Sequence, residues 1–447
     1  MAPARAFYGW WIVGAGFGLE MLIGALMFHA YGAYVVMLRA EFGWSKTMLA
    51  AAFSMARAES GIFGPVQGWL TDRFGPRALM RVGLVVFGVG FIWFSQITTP
   101  VGFFAAFFTM AVGSSLAGYL PISAAIVSWF RRRRALALSL SSTGSAVGGL
   151  LTTLVAVALT HWGWRWTAFA SGLAVILLGL PLSQLVRHRP EPYGLRPDGD
   201  PPPDESVGGA GGASSAAPAR TTRDFTAREA MATRAFWLLS AGHGAALLVV
   251  SAVMVHMIVH VTERLGYSLR QGAAVVALMT AVQLVGHLVG GWAGDRFSKR
   301  MICAACMAAH ASGLLLLAHA SAFWMILGFA VLHGGAWGVR GPLMSAIRAD
   351  YFGSASFGTI AGVSSMVVMF GMMAGPVVAG ILADRTGSYV PGFTVLAALA
   401  ATGSIFFWLA RRPAARDAAG AIPWPSPPRS SPTAPPPESA SDPASSP

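Results

Sequence analysis

The sequence predicts an all-α membrane protein: twelve transmembrane helices in two pseudo-symmetric six-helix bundles. Three observations carry that expectation. The 447 residues are 55% hydrophobic and only 11% charged. An ordinary soluble chain carries about 25% charged residues, so lipid must solvate most of this surface. Gly68-Trp69-Leu70-Thr71-Asp72-Arg73-Phe74 returns 223 positions later as Gly291-Trp292-Ala293-Gly294-Asp295-Arg296-Phe297. Each copy ends an apolar stretch with an Asp-Arg pair, the mark of a duplicated unit threaded through a bilayer. The basic residues also alternate. Of 31 Lys and Arg, 23 fall in alternate loops and at the termini, six in the opposite loops, and Arg57 and Arg340 inside helices. That asymmetry places both termini in the cytoplasm, and it attributes the net charge of +13 to topology rather than to nucleic-acid binding.

Each helix is an apolar run of the roughly 20 residues a bilayer requires, closed by charge or Pro. Helix one (9–38) is too long for a signal-peptide core and lacks a cleavage site, so it stays in the mature chain. Helix two (46–71) runs to the first Asp-Arg motif, helix three (78–97) to Pro100, and helix four (101–129) to the Arg131–Arg134 run. Helix five (135–161) carries Gly144-x-x-x-Gly148, and helix six (166–186) lies between Arg165 and Arg187. Helix seven (234–261) follows Arg234, helix eight (271–294) ends at the second motif, and helix nine (301–320) follows Lys299-Arg300. Helix ten (323–347) stops before Arg348, helix eleven (357–383) carries Gly371-x-x-x-Gly375, and helix twelve (391–410) stops at Arg411-Arg412. The glycine spacings let backbones approach closely.

The domains expected are therefore a bundle over 1–189, a cytoplasmic Pro/Gly/Ser-rich linker over 190–233, a bundle over 234–412 and a disordered cytoplasmic tail over 413–447. The duplication extends beyond its motif. Trp129-Phe130 and Tyr351-Phe352 are 222 apart, as are Gly149 and Gly371, while Pro121 and Pro342 are 221 apart. Parallel repeats of this kind place a substrate site at their interface near the midplane, reached from either side in turn.

Charges within lipid are costly and call for a purpose. Glu20 lies in helix one, Arg57 and Glu59 in helix two, and Arg340 in helix ten. At the repeat offset Arg57 maps to Thr280, Glu59 to Val282 and Arg340 to Tyr119, so these charges break the duplication, as additions for a ligand would. An Arg in a dry cavity binds a carboxylate through a planar fork of donors. Arg340, Arg57, Tyr119, His333 and His243 are accordingly the substrate-binding candidates. Glu20 and Glu59 are candidates for proton coupling or for an ion pair with Arg57. His256, His260 and Glu263 share a helix face at a spacing that a metal could use, although polar helix residues are the simpler reading. Cys303 and Cys306 read as small apolar helix residues. Gly14-x-Gly16-x-Gly18 follows no strand, and no hydrolase, zincin or phosphate-loop motif is present, so neither an enzyme nor an ATP-driven pump is expected.

These motifs resemble those of the major facilitator superfamily over about residues 8–412. Gly68 to Arg77 is similar to its signature loop between helices two and three, and Gly291 to Arg300 to the counterpart between helices eight and nine. Trp129 to Leu138, Tyr351-Phe352-Gly353 and Tyr8-Gly9-Trp10-Trp11 resemble the monocarboxylate and oxalate/formate porter branch. The resemblance implies that Asp72, Arg73, Arg77, Arg131, Asp295 and Arg296 form gating contacts that close the cytoplasmic side. Asp72 itself can accept from helix amides or pair with Arg131 to Arg134. Two departures matter: helix eight lacks the Arg and Asp of the monocarboxylate carriers, and helix eleven lacks the Lys of oxalate/formate exchange.

The function expected is secondary transport of a small organic anion, a monocarboxylate, driven by a proton or by exchange. An exporter of lipophilic compounds and a membrane sensor without net transport are the alternatives. No cofactor, metal or nucleic-acid partner is expected. The partners are the substrate and the lipid of a plasma membrane, the bacterial inner membrane, with the monomer as the working unit.

Overall fold

A computed structural model describes residues 7–44, 46–200 and 224–413. The Pro- and Gly-rich tract of the linker at 201–215 and the tail from 414 onward lie outside these residues, as do Arg5, Arg220, Arg223, Arg416 and Arg429.

Twelve long helical segments follow in order. They are α1 (Gly9–Phe42), α2 (Lys46–Ile62 continued by Gly64–Phe74), α3 (Pro76–Phe94) and α4 (Pro100–Trp129). Segment Arg134–Leu185 supplies α5 and α6, its two arms meeting at Gly163. Then come α7 (Arg234–Leu265), α8 (Leu269–Arg296), α9 (Lys299–Ala318), α10 (Phe323–Phe352), α11 (Phe357–Thr386) and α12 (Tyr389–Leu409). Among the described residues, ten spans are long and apolar enough to cross a membrane. The two segments that fall short, α2 and α10, are the ones carrying Arg57 and Arg340.

Local chemistry sets the ends. Thr99, Thr233, Ser268 and Ser388 accept from backbone amides in the first turn of α4, α7, α8 and α12, and Pro76 and Pro100 sit where no amide bond is lost. Gly163, at φ 74° and ψ 166°, turns the chain where a Cβ would be strained. One expected boundary is corrected. α10 continues to Phe352, so Arg348 is not a loop residue; it lies within the helix, only 5% exposed.

Within the first half α1 packs on α5, and α3 on α4 and α6; within the second, α7 packs on α11, and α9 on α10 and α12. The halves meet where α2 packs on α11 and α5 on α8. Each pairing maps onto its counterpart when six is added to or subtracted from the helix numbers, which is the expected pseudo-symmetry of two six-helix bundles. The halves are not identical in regularity. α1 passes through a π-helical stretch, Gly24–His29; α2 is interrupted at Phe63; and α4 is interrupted at Gly118. The helices α7, α8, α10 and α11 run unbroken.

In lipid, helices associate through close packing of small residues rather than through hydrophobic exclusion. At the contact between halves, a Cβ on Gly68 would lie 2.1 Å from the Gly358 carbonyl oxygen, and one on Gly362 would lie 2.0 Å from that of Gly64. Backbone thus touches backbone, and no side chain fits. Gly362→Ala is therefore expected to force α2 and α11 apart at about 1–3 kcal/mol, the usual cost of overpacking. Transport should fall roughly tenfold, whereas Gly14→Ala, whose added Cβ meets nothing within 4 Å, should be silent. Equal activity of the two variants in vesicle uptake would show that the close contact is dispensable.

Candidate functional site

Both Asp-Arg motifs reach across the contact between halves at the basic face. Asp72, near the end of α2, accepts from the backbone amides of Gly358 (2.9 Å) and Thr359 (2.7 Å) and from the Thr359 hydroxyl (2.7 Å). Asp295, near the end of α8, accepts from the amides of Ala135 (2.8 Å) and Leu136 (3.0 Å). Each carboxylate therefore caps the N-terminus of a helix in the other half, α11 or α5, where unpaired amides and the helix dipole favour negative charge.

Asp72 takes the helix amides rather than Arg131 to Arg134. The Arg131 and Arg132 amides donate to Asp198, and the Arg132 side chain pairs with Asp200. Arg134 pairs with Asp350 at 2.5 Å, and Lys299 holds the second oxygen of Asp350 at 2.8 Å, which adds a third link between the halves. The remaining candidates at this face stay within their own half. Arg73 lies over the Trp69 and Phe74 rings, Arg77 donates to the Val186 carbonyl (2.7 Å), and Arg296 stacks on Trp292 at 4.6 Å.

Beyond the clasp, away from the basic face, lies a cavity of about 300 Å³. α1 contributes Glu20, Ile23 and Phe28; α2 contributes Arg57, Ser60 and Gln67; α4 contributes Ser114, Ser115 and Tyr119; and α11 faces them with Ser365, Val368, Met369 and Met372. Arg57 is the only Lys or Arg of this lining. Its guanidinium sits between the Phe28 and Phe53 rings, 4.7 and 4.9 Å from their centroids. The two rings orient it without neutralising it.

The expected ion pair with Arg57 is not formed among the described residues. Glu59 turns to α4, accepting from the Ser115 hydroxyl (2.9 Å) and from Ser60 (3.2 Å). Gln67 donates to the Ser115 carbonyl, which ties α2 to α4. Glu20 borders the cavity, and its Oε1 is buried without a hydrogen-bond partner.

The other candidates lie in the second half, outside this lining. Arg340 and His333 are wholly buried in α10, and His333 Nδ1 faces His310 Nδ1 at 3.1 Å. Arg348, expected in a loop, donates to Ser364 (2.8 Å) and contacts His243 (3.0 Å). Tyr119 joins the two regions: it borders the cavity, and its hydroxyl is 2.9 Å from that of Ser345 on α10. His256 and His260 contact the Pro376 and Leu317 carbonyls and are used as helix-to-helix polar ties.

With the two clasps, the central cavity and the paired bundles in place, the sequence profile of the Major Facilitator Superfamily matches residues 15–292 and 239–436. The chain belongs to that superfamily. A human monocarboxylate transporter 11 is 25% identical over 91% of this chain and 83% of its own length. A probable hexose phosphate transport protein of Chlamydia trachomatis is 25% identical over 63% of this chain. The match spans 64% of that relative, less than two thirds of its length. The E. coli fucose:proton symporter superposes with a TM-score of 0.68 at 14% identity, covering 90% of this chain and 98% of its own. At that identity the likeness bears on the fold alone, and the superfamily member shares it from α1 to α12.

Proposed function

We propose that this superfamily member is a secondary transporter of a small organic anion, a monocarboxylate, which it carries by alternating access together with a proton. The observation that supports this most is Arg57, a cation flanked by two aromatic rings in the cavity between the halves, with no ion-pair partner among the described residues. A half-buried cation at membrane depth is costly without a counter-charge, and a substrate carboxylate would relieve it through two parallel hydrogen bonds. Val368, Met369 and Met372 form an apolar wall on α11 that suits a hydrocarbon tail, while Tyr119, Ser60 and Ser115 offer hydroxyls for orientation.

The charge balance also separates the substrates named by the relatives. A phosphomonoester carries close to two negative charges at neutral pH, and this lining offers one guanidinium and a carboxyl, Glu20. A single carboxylate matches that balance better than a sugar phosphate does. Glu20 supplies the coupling: while ionised it repels an anion in the same cavity, and once protonated it does not, so proton and substrate favour each other's binding.

On this reading the basic face is cytoplasmic, as Lys and Arg bias dictates. The clasps at Asp72 and Asp295 then keep that side shut while the cavity serves the other. The setting is a bacterial inner membrane, and the monomer suffices.

The test is uptake of labelled short-chain carboxylates into proteoliposomes under an imposed pH gradient. Accumulation is expected, with little uptake of glucose 6-phosphate. Glu20→Gln should abolish gradient-driven accumulation while leaving carboxylate counterflow within about twofold, because exchange needs no net proton movement. Saturable binding without flux would instead favour a sensor, and preference for neutral or cationic lipophiles would favour an exporter.

A further inference from the structure

Arg340 is not explained by the cavity. It is 0% exposed, and its Nε, Nη1 and Nη2 are all buried with no hydrogen-bond partner among the described residues. Around it stand neutral groups, Cys303 and Cys306 of α9 and Tyr119 of α4, together with His243, His310 and His333. The second buried cation, Arg348, has only Ser364 and His243 as hydrogen-bond partners. Among the described residues no Asp or Glu stands in this group, so the two guanidinium charges lie together in the bundle without a counter-charge from them.

The histidine pair adds to the imbalance. With the two Nδ1 atoms 3.1 Å apart, neutral rings can bond only if one Nδ1 donates and the other accepts. The accepting ring then carries its proton on Nε2. Both Nε2 atoms are buried without a partner, so one imidazole N–H has no acceptor. The cluster therefore presents the N–H groups of Arg340 and one imidazole N–H as unmet donors, against a single unmet acceptor, the bare Nε2 of the donating ring. Unmet donors around positive charge fit an anion.

Enclosure sets the size of that anion. Cys303, His310, His333 and Arg340 are each 0% exposed, and the Phe329 and Trp337 rings pack beside His333. Such a site suits an ion of atomic dimensions rather than one bearing a carbon chain. Weakly hydrated monovalent ions lose least on leaving water, which favours a halide over sulfate or phosphate. We infer that Arg340, with the His310–His333 pair, forms a chloride site inside the C-terminal bundle, separate from the cavity of Arg57, where the ion acts as counter-charge to Arg340 and Arg348.

The experiment is equilibrium binding of radioactive chloride to the full-length protein in nanodiscs. One saturable site per chain is expected, displaced by bromide but not by gluconate, lost in Arg340→Gln and kept in Arg57→Gln. Absence of saturable binding in the wild type would overturn the assignment, and so would unchanged affinity in Arg340→Gln. Displacement by a transported carboxylate would merge the two sites and equally overturn it. Should Arg340→Gln fail to fold, His333→Leu should weaken binding roughly fivefold through the lost hydrogen bond. A bromide anomalous peak beside Arg340 in wild-type crystals is expected, and a peak elsewhere would refute the site. Chloride binding does not depend on Arg57, so failure of the carboxylate reading leaves this measurement intact.

Discussion

Arg57→Gln is expected to lower carboxylate uptake by about two orders of magnitude, chiefly through a raised KM. Hydrogen bonds to charged groups contribute about 1.5–3 kcal/mol each, and a carboxylate engages two. Partial replacement by the Gln amide leaves a loss near 3 kcal/mol, or roughly 100-fold. Arg57→Lys should recover little of this despite keeping the charge. Lysine has no planar face to lie between Phe28 and Phe53, which flank the guanidinium at 4.7 and 4.9 Å, and no fork to match a carboxylate. The informative comparison is between Arg57→Lys and Phe28→Ala. The first keeps the charge and loses the geometry; the second keeps the Arg and loosens its seat. Both should raise KM, with the lysine variant the more impaired. Wild-type kinetics in Arg57→Gln would remove the basis for assigning an anionic substrate to this cavity.

The second large effect is on access rather than affinity. Asp72→Asn keeps the size of the side chain and one acceptor but removes the charge that faces the Gly358 and Thr359 amides. A charged group at a helix N-terminus contributes about 0.3–1 kcal/mol, and up to about 2 kcal/mol when partly buried. The single change is therefore expected to shift the balance toward opening at the basic face by roughly tenfold. Asp72→Asn combined with Asp295→Asn should shift it by roughly 100-fold, because the two clasps sit on different helix pairs and share no partner. Spin labels at the exposed positions Ala78 and Met301, which leave all three links intact, would report the change as a longer distance population across the basic face. An unaltered distance distribution in the double variant would mean that the Arg134–Asp350–Lys299 link alone keeps that face shut.

The fold was legible because lipid simplifies the problem. Apolar length, a repeated Asp-Arg motif and alternating basic loops each report on the bilayer directly, and none needs knowledge of contacts. The partners of Asp72 were harder. Two solutions satisfy a carboxylate at that position, helix amides or arginines, and only the arrangement of α11 against α2 decides between them. Arg348 was misplaced for a related reason. Arg348-Ala349-Asp350 has the composition of a loop, yet successive positions on a helix point in different directions. One charge is directed into the bundle toward His243, and the other toward Arg134 in the opposite half. Glu59 looked like a partner for Arg57 because the two are close in sequence. The hydroxyls that hold it come from Ser60 and from Ser115, the latter on a helix 56 positions away.

Among the described residues, the interruptions at Gly24–His29, Phe63 and Gly118 all fall in the first half, and Phe28, Gly64 and Gly118 line the cavity. A π-turn or a break in helical form is a place where a helix kinks readily. The second half answers with prolines, Pro342 in α10 and Pro376 in α11, each removing one amide bond while the helix runs on. The two descendants of one gene thus bend by different devices, altered winding in one and a missing donor in the other.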